Sequence, residues 1–552
     1  MKKILLTVSL ALTAYTMQAT SFGTTKWTQY IDAFSLPDKA VRVAPMAVAS
    51  DGTTYVAGAY NTDVVLGTSI FQNTATSAFV AKYDTNGDVS WAVALKGAAR
   101  VTSITTDNSG NVYVVGTFAK AVELINPTGN TVETINGKAN DDSRSSFFIL
   151  KYDNNGTLKA HKTVIPAVKS DVASSGMYFD EADATYFQSN KVMWANNRLY
   201  FSATYTGVST FDGKTLSGNY FLYAGFMYVN IARMGVYSVD PSNLGNLKEE
   251  VALTFDNDGA ENQTRPESVN FTVADGKVYA AFVATGKVKL STPNKTETFN
   301  FTEGGGKREH GFILSEVSAS STNNVTYRSD VTDVETNYNL LEAMTFDNNN
   351  LYVAGTFNQP AVFGVEKTFK GGSDAFVAAI NRSNRRVSWV ATSGYNEGEA
   401  KQKREVVTGL VVVDGKILLA SYAEAIKDRK PVEALVYGVK SNGTMNKGND
   451  SFIYGVANNS NQIVTSTVDG VSITYTAYQV DETTDVRSLS AQPSIVRNGD
   501  VFSFANVLDV QVYNLQGALL LNAKAVRSIS VASLPKGVYM LKAGLAKQKF
   551  VK

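Results

Sequence analysis

A repeat constrains this chain more than any other feature. A turn followed by an apolar strand stands at Asp51-Gly52-Thr53-Thr54-Tyr55-Val56-Ala57-Gly58 and again at Ser109-Gly110-Asn111-Val112-Tyr113-Val114-Val115-Gly116. Looser copies stand at Asn197–Ala203, Asp275–Ala281, Asn350–Phe357, Asp414–Ala420 and Asp469–Tyr475. Asp-Gly and Asn-Asn supply the positive-φ positions of a tight hairpin, so each copy joins two antiparallel strands. A second hairpin alternates with the first. Ala78–Tyr83 turns at Asp84-Thr85-Asn86-Gly87 and returns through Val89-Ser90-Trp91, and Phe147–Tyr152 turns at Asp153-Asn154-Asn155-Gly156. Further copies begin at Gly311, Ala375 and Ala434, with a degenerate one at Met234–Val239.

Two hairpins per repeat make four antiparallel strands, which is one propeller blade. The strand after each turn is a near-continuous β-branched and aromatic run, as both-face burial requires. No blade can cover both faces alone, so the blades must close on one another. The chain is therefore expected to be all-β: a β-propeller of seven blades, alternatively six, over residues 20–480. Copies recur every roughly 55 to 90 residues, longer than compact propeller repeats of ~40–50, and the excess is assigned to loops near 166–190, 206–233 and 318–338. Lys26-Trp27-Thr28-Gln29-Tyr30 has the character of the outer strands at Trp91 and Trp389 but precedes the first full repeat. It is expected to complete the last blade near 462–480. The stretch Ser77–Trp91 resembles the bacterial β-propeller repeat (SBBP-like) family, a resemblance that extends loosely over 26–480. It implies a fold and no shared catalytic motif.

The two ends follow other rules. Lys2 and Lys3, the apolar stretch Ile4–Ala14 and the exit at Ala19 read as a secretory leader over 1–19. No later segment has the ~18 apolar residues of a membrane-spanning helix. Residues 481–486 are polar and read as a linker, and 487–552 as a small strand-rich domain. Its motifs are Val512-Tyr513-Asn514-Leu515-Gln516-Gly517, Leu534-Pro535-Lys536-Gly537-Val538-Tyr539 and Lys547-Gln548-Lys549. This tail resembles the C-terminal sorting domain of the type IX secretion system. The resemblance implies an Ig-like β-sandwich and sorting residues Tyr513, Asn514, Gly517, Gly537, Tyr539, Lys547 and Lys549. It also implies recognition by the outer-membrane translocon of a Gram-negative cell and delivery to the cell surface, with secretion or the periplasm as alternatives.

Composition narrows the chemistry. With 51 Lys plus Arg against 50 Asp plus Glu there is no global field to recruit nucleic acid or an anionic membrane. The basic spots at Lys401, Lys403 and Arg404 and at Lys427, Arg429 and Lys430 read as solvated loops. There is no cysteine, which removes disulfides and thiolate chemistry, and the only histidines are His161 and His310. Both read as exposed loop residues. Asp84–Asp88 and Asp256–Gly259 lack the ligand register of a calcium loop and read as turns. Gly304-Gly305-Gly306-Lys307 lacks Walker spacing. The aromatic group Tyr220, Phe221, Tyr223, Phe226, Met227 and Tyr228 is read first as core of the third blade and second as an exposed platform.

No residue earns assignment to catalysis, metal or cofactor binding, and no cofactor is expected. Three functions remain. The first is an exported binding or adhesion protein that recognises glycan or protein through loops of one propeller face. The second is a polysaccharide-degrading hydrolase or lyase. The third is a scaffold without a small ligand. A deep polar pocket on the axis with two convergent carboxyls is the feature that favours an enzyme.

Overall fold

The computed structural model describes residues 24–552 apart from 34–43, 73–75, 139–142, 169–184, 224–226, 256–264, 302–309, 330–339, 359, 370–371, 395–402, 414–415, 428–430, 440–442, 448–451, 470–471, 481–494, 515–517 and 544–545. The leader over 1–19, the linker over 481–486, the Asp256–Gly259 turn and Gly304–Lys307 lie outside the described residues. Every element among those described is a strand. The chain divides into two compact units, Met1–Thr483 and Thr484–Lys552.

In the first unit the strand pairings resolve into seven four-stranded antiparallel blades. Blade 1 is Met46–Val48, Thr54–Tyr60, Ser77–Tyr83 and Val89–Lys96, and blade 2 is Ala99–Thr106, Val112–Phe118, Ser146–Tyr152 and Leu158–Val164. Blade 3 opens with a first strand broken into Phe187–Gln188 and Val192–Ala195, then runs through Arg198–Tyr205, Arg233–Val239 and Lys248–Phe255. Blade 4 is Arg265–Ala274, Lys277–Ser291, His310–Val317 and Thr322–Ser329; blade 5 is Leu340–Phe346, Asn350–Phe357, Asp374–Asn381 and Val387–Thr392. Blade 6 is Lys403–Val413, Lys416–Ala425, Pro431–Val439 and Met445–Lys447. Blade 7 takes Ile453–Asn458, Gln462–Asp469 and Ser472–Gln479 from the end of the unit and Thr24–Asp32 from its beginning. The first strands touch in a closed circle, with Met46–Val48 meeting both Ala99–Thr106 and Ile453–Asn458.

Closure is sealed by antiparallel pairing of Trp27 with Ala477 through Asp32 with Ser472. Apolar clusters lie between successive blades. The one joining blade 7 to blade 1 holds Trp27, Ile31 and Tyr475 from one side and Phe79 and Tyr83 from the other. Second and third strands are the most buried: every residue of Val112–Phe118 is buried, as its near-continuous apolar run requires.

Packing between blades explains the Lys-Tyr-Asp-x-Asn-Gly…Trp wording of the repeat. The Trp91 ring of blade 1 lies on the turn glycine Gly156 of blade 2, where a Cβ would come within 2.8 Å of it. The Trp91 indole N–H donates to the Asn154 carbonyl at 2.9 Å. Trp27 covers Gly87, and Trp389 of blade 5 covers Gly443 of blade 6, in the same way. Lys82 and Lys151 lie 5.8 and 5.7 Å above the rings of Tyr55 and Tyr113 and reach carbonyls in the next blade, Asn154 and Pro241. Each repeat is thus written to fit its successor.

Several expectations need correction. The Asp469–Tyr475 copy joins the second and third strands of blade 7, not the first and second. The inner hairpin of that blade turns at Asn459, whose side-chain oxygen accepts the N–H groups of Asn461 and Gln462, each at 2.8 Å. A tight turn marks a hairpin without saying which pair of strands it joins. Of the stretch assigned to a loop near 318–338, Thr322–Ser329 is the outer strand of blade 4. An unanticipated hairpin, Ala121–Ile125 with Thr131–Asn136, extends blade 1 outward. The long strand Lys277–Ser291 runs on past blade 4 to pair with Ala252–Phe255 of blade 3. Asn219–Tyr223 and Met227–Ile231 form a two-stranded ribbon of their own, so Tyr220, Phe221, Tyr223, Met227 and Tyr228 are not in the third blade's sheet, and Phe226 lies outside the described residues.

In the second unit Val501–Asn514 is the central strand. Leu519–Ser530 pairs along one of its edges, and Ile495–Asn498 and Val538–Ala543 share the other, with Ala546–Val551 outermost. Phe502, Val512, Leu541 and Phe550 form its core.

The Trp-on-glycine contact gives a direct test by urea denaturation. Trp91→Ala should lose about 3–5 kcal/mol of stability. Gly156→Ala, which needs a Cβ at φ +79° against the ring, should lose ~2 kcal/mol or more. The double variant should fall short of the sum, because both changes remove one contact.

Candidate functional site

The first strand of a blade is where the site is made. In blade 2 Val101 pairs with Gly116 and Ser103 with Val115, so Thr102 is one residue too many. The same single-residue bulge leaves over Glu267 in blade 4, Glu342 in blade 5, Thr408 in blade 6 and Tyr454 in blade 7. In blade 3 the break Ser189–Lys191 provides the extra residue, since Gln188 pairs with Thr204 and Val192 with Phe201. A bulge bends its strand and re-aims a side chain. The glycines opposite are required by it: a Cβ on Gly116 or Gly355 would run into the carbonyl oxygen of Arg100 or Leu340.

These bulges ring an axial cavity of about 710 Å³ to which all seven blades contribute. Its wall mixes hydroxyls and amides (Thr102, Thr204, Thr408, Ser189, Ser268, Gln188, Asn190), phenols (Tyr186, Tyr422, Tyr454), apolar surface such as Met46, Val269 and Leu341, and the ionic groups Arg100, Glu342, Arg404 and Glu424. Part of the polar lining holds the ring together. Thr102 donates to the Ser189 carbonyl at 2.6 Å and Asn190 to the Val269 carbonyl at 3.2 Å. Ser268 accepts the Leu341 N–H at 2.9 Å, and Thr408 donates to the Ile453 carbonyl at 2.6 Å. Each bond runs from one blade to the next.

Three of the four ionic groups, Glu342, Arg404 and Glu424, gather on blades 5 and 6, and Arg100 stands on blade 2. Arg404 donates through Nε to Oε1 of the inaccessible Glu424 at 2.6 Å. Glu342 accepts the Val407 N–H at 3.1 Å. Burial is the main cause that pushes the Glu342 carboxyl up to about 8, with the charges of Glu424 and Glu405 adding to it and the Val407 N–H and Arg404 opposing it. Glu342 is therefore mostly a neutral acid at pH 7, and it can donate a proton or a hydrogen bond into the cavity. Glu405, 1% exposed, serves the fold instead. It accepts from the Ala375 N–H at 2.6 Å, the Tyr437 hydroxyl at 3.0 Å and the Ser393 hydroxyl, tying blade 5 to blade 6.

The structure corrects the reading of Lys403 and Arg404 as a solvated loop: both lie in the first strand of blade 6, and Arg404 lines the cavity. Lys427 is exposed, while Lys401, Arg429 and Lys430 lie outside the described residues. His161 is not in a loop either. It lies in the outer strand of blade 2, with Nε2 3.7 Å from Glu133 Oε2. His310 opens the third strand of blade 4. At Asp84 the carboxylate accepts the N–H groups of Asn86 at 2.8 Å and Asp88 at 2.9 Å, which is turn chemistry. Among the described residues no helix is long and apolar enough to cross a membrane.

The tail motifs fall at turns and strand ends. Asn514 Oδ1 accepts the Ala518 N–H at 2.8 Å, and Tyr513 donates to Gln511 Oε1 at 2.7 Å. Tyr539 donates to the Pro535 carbonyl at 2.9 Å, and Gly537 pairs with Lys552, the last residue. Lys547 pairs with Lys542 and Lys549 with Met540 in the final strand pair, and Gly517 lies outside the described residues.

No family model matches the chain, and no curated protein matches it. Among solved structures it is similar to the Dos1 propeller, at TM-score 0.39 and 8% identity over 83% of this chain and 96% of that one. It is similar to the polysaccharide lyase Uly1 at TM-score 0.39 and 11% identity, over 80% of this chain and 91% of the other. For the rhamnogalacturonan lyase YesW the values are 0.32 and 12%, over 83% and 73%. Likenesses at this level bear on neither ligand nor chemistry. The fold rests on the strand pairings themselves.

The position of Glu342 predicts a pH dependence. A carboxyl raised from 4.5 to about 8 on folding keeps a proton that the unfolded chain gives up, so stability falls as pH rises through that window. Glu342→Gln, which mimics the protonated form, should match the native chain near pH 4 in thermal or urea melts. It should exceed it by about 1–3 kcal/mol above pH 8.

Proposed function

We propose that this protein is an exported β-propeller that binds a glycan segment in its axial cavity. The observation that carries the reading is the cavity wall, where hydroxyl, amide, carboxyl and guanidinium groups alternate with apolar and phenolic surface. A sugar presents the matching pattern of hydroxyls around an apolar C–H face. The volume suits a short oligosaccharide, and the site moves from the face loops favoured on sequence grounds to the bulged first strands. The leader over 1–19 and the motifs of 487–552 support export and sorting by a type IX translocon to the outer-membrane surface.

A second reading, a polysaccharide-degrading enzyme, is favoured by one arrangement: two carboxyls, Glu342 and the Arg404-bonded Glu424, line the same cavity, and burial pushes Glu342 up to about 8, as a general acid for glycoside cleavage requires.

A glycan array probed with the full mature chain, run beside a hydrolysis screen, tests both. Binding should appear, and Tyr454→Ala, at the bulge of blade 7, should weaken it at least tenfold without changing the circular dichroism of the sheets. Products that vanish in Glu342→Gln while binding persists would establish the enzyme. Silence in both assays leaves only a scaffold. Deletion of 484–552 should leave the propeller in the periplasm, read by fractionation and surface proteolysis.

A further inference from the structure

We infer that the axial cavity is built for an acidic glycan, whose anionic group pairs with the ammonium of Lys191, which crosses the channel beside the cavity lining. This rests on the glycan-binding reading above and deepens it. Lys191 belongs to the break in the first strand of blade 3, and its Nζ donates to the Met344 carbonyl of blade 5 at 2.7 Å. On the way it passes blade 4, lying 3.5 Å from Asn270 Oδ1 and 5.5 Å from the centre of the Phe271 ring. The side chain therefore hangs across the channel. Asn190, Val269 and Glu342 all line the cavity, and Lys191, Asn270 and Met344 follow them closely in the chain, which puts the ammonium next to that lining.

Its surroundings contain no matching charge. Its acceptors are a carbonyl and an amide oxygen, both neutral, and among the described residues no carboxylate pairs with it. In the wall, Arg100 and Arg404 stand against Glu424 and a Glu342 that is mostly neutral at pH 7, so the wall carries no excess of negative charge to balance Lys191. Burial without a counter-charge presses its pKa down to about 7, which marks a site where an arriving anion gains more than a neutral group does. A carboxylate or sulfate that reaches Lys191, with hydroxyls against the polar wall, satisfies both.

A plain strut between blades 3 and 5 would show the same contacts, so the test reads charge. The full mature chain is titrated calorimetrically with uronate and sulfated oligosaccharides, each beside its methyl-esterified or desulfated counterpart. The acidic member of a pair should bind at least tenfold tighter. Because the ammonium sits near its midpoint at neutral pH, binding should take up protons, seen as heat that depends on the ionisation enthalpy of the buffer. Lys191→Arg should retain the preference, lose the proton uptake and hold its affinity to higher pH. Lys191→Met should lose the preference while keeping neutral binding. Equal affinity for acidic and neutral members, or binding without proton linkage, overturns the inference and leaves the glycan reading standing. Failure of every oligosaccharide overturns both. If Lys191→Met does not fold, the pH profile of Lys191→Arg decides alone.

Discussion

Everything in the larger unit depends on the pairing of Thr24–Asp32 with Ser472–Gln479. Each blade is apolar on both faces and can exist only between two neighbours. The apolar cluster of Trp27, Ile31, Phe79, Tyr83 and Tyr475 is where first and last meet. Were that strand absent, blade 7 would present an open edge, and Gly87 would lose the indole that covers it. The chain thus invests strand pairing, the most cooperative contact available to it, at the join where the covalent backbone gives no help.

Closure fixes the radius, and the radius leaves a hole. A regular first strand would alternate its side chains between the sheet's two flanks; the bulge breaks that alternation at one level in blade after blade. Thr102, Glu342, Thr408 and Tyr454 reach the axis for this reason, and carbonyls and N–H groups at the bulges are taken up by side chains of the preceding blade. The belt that stabilises the ring and the wall that meets a ligand are the same residues. A change at Thr408 would loosen the interface of blades 6 and 7 as well as alter the wall, and Tyr454 likewise spans that interface, its ring centre 5.5 Å from that of Tyr422 in blade 6.

The repeat disclosed the fold because its signals are local: an Asp-Gly turn and an unbroken apolar strand need only their own neighbours to be read. It also placed Trp27 beside the 462–480 segment, where its partner is Ala477. The cavity was not legible. Arg404 and Glu405 are adjacent in a charged stretch that reads as solvent-exposed, yet one lines the axis and the other is buried between blades. Glu342 is a lone acid, and Lys191 a lone base in a polar stretch. What gathers them is ring closure, a contact between residues hundreds of positions apart. One local signal did exist: the glycine of Val-Gly-Thr-Phe and Ala-Gly-Thr-Phe, at Gly116 and Gly355, faces a bulge and so marks the level of the site.

Two side chains at that level run against the economy of the rest. Elsewhere charged groups on inner surfaces are paired, as Arg404 is with Glu424 and Lys277 with Glu316. Glu342 and Lys191 are instead held by neutral backbone partners, and burial drives the acid up to about 8 and the base down to about 7. Both shifts cost folding free energy at neutral pH, in proportion to the shift. A ring needing only to be filled would place apolar residues there, as it does between blade 7 and blade 1 and on round to blade 6. Both groups meet at one stretch of the blade 5 first strand, Glu342 in the cavity wall and the Lys191 ammonium on the Met344 carbonyl two residues on, a concentration of shifted groups of the kind that functional sites hold.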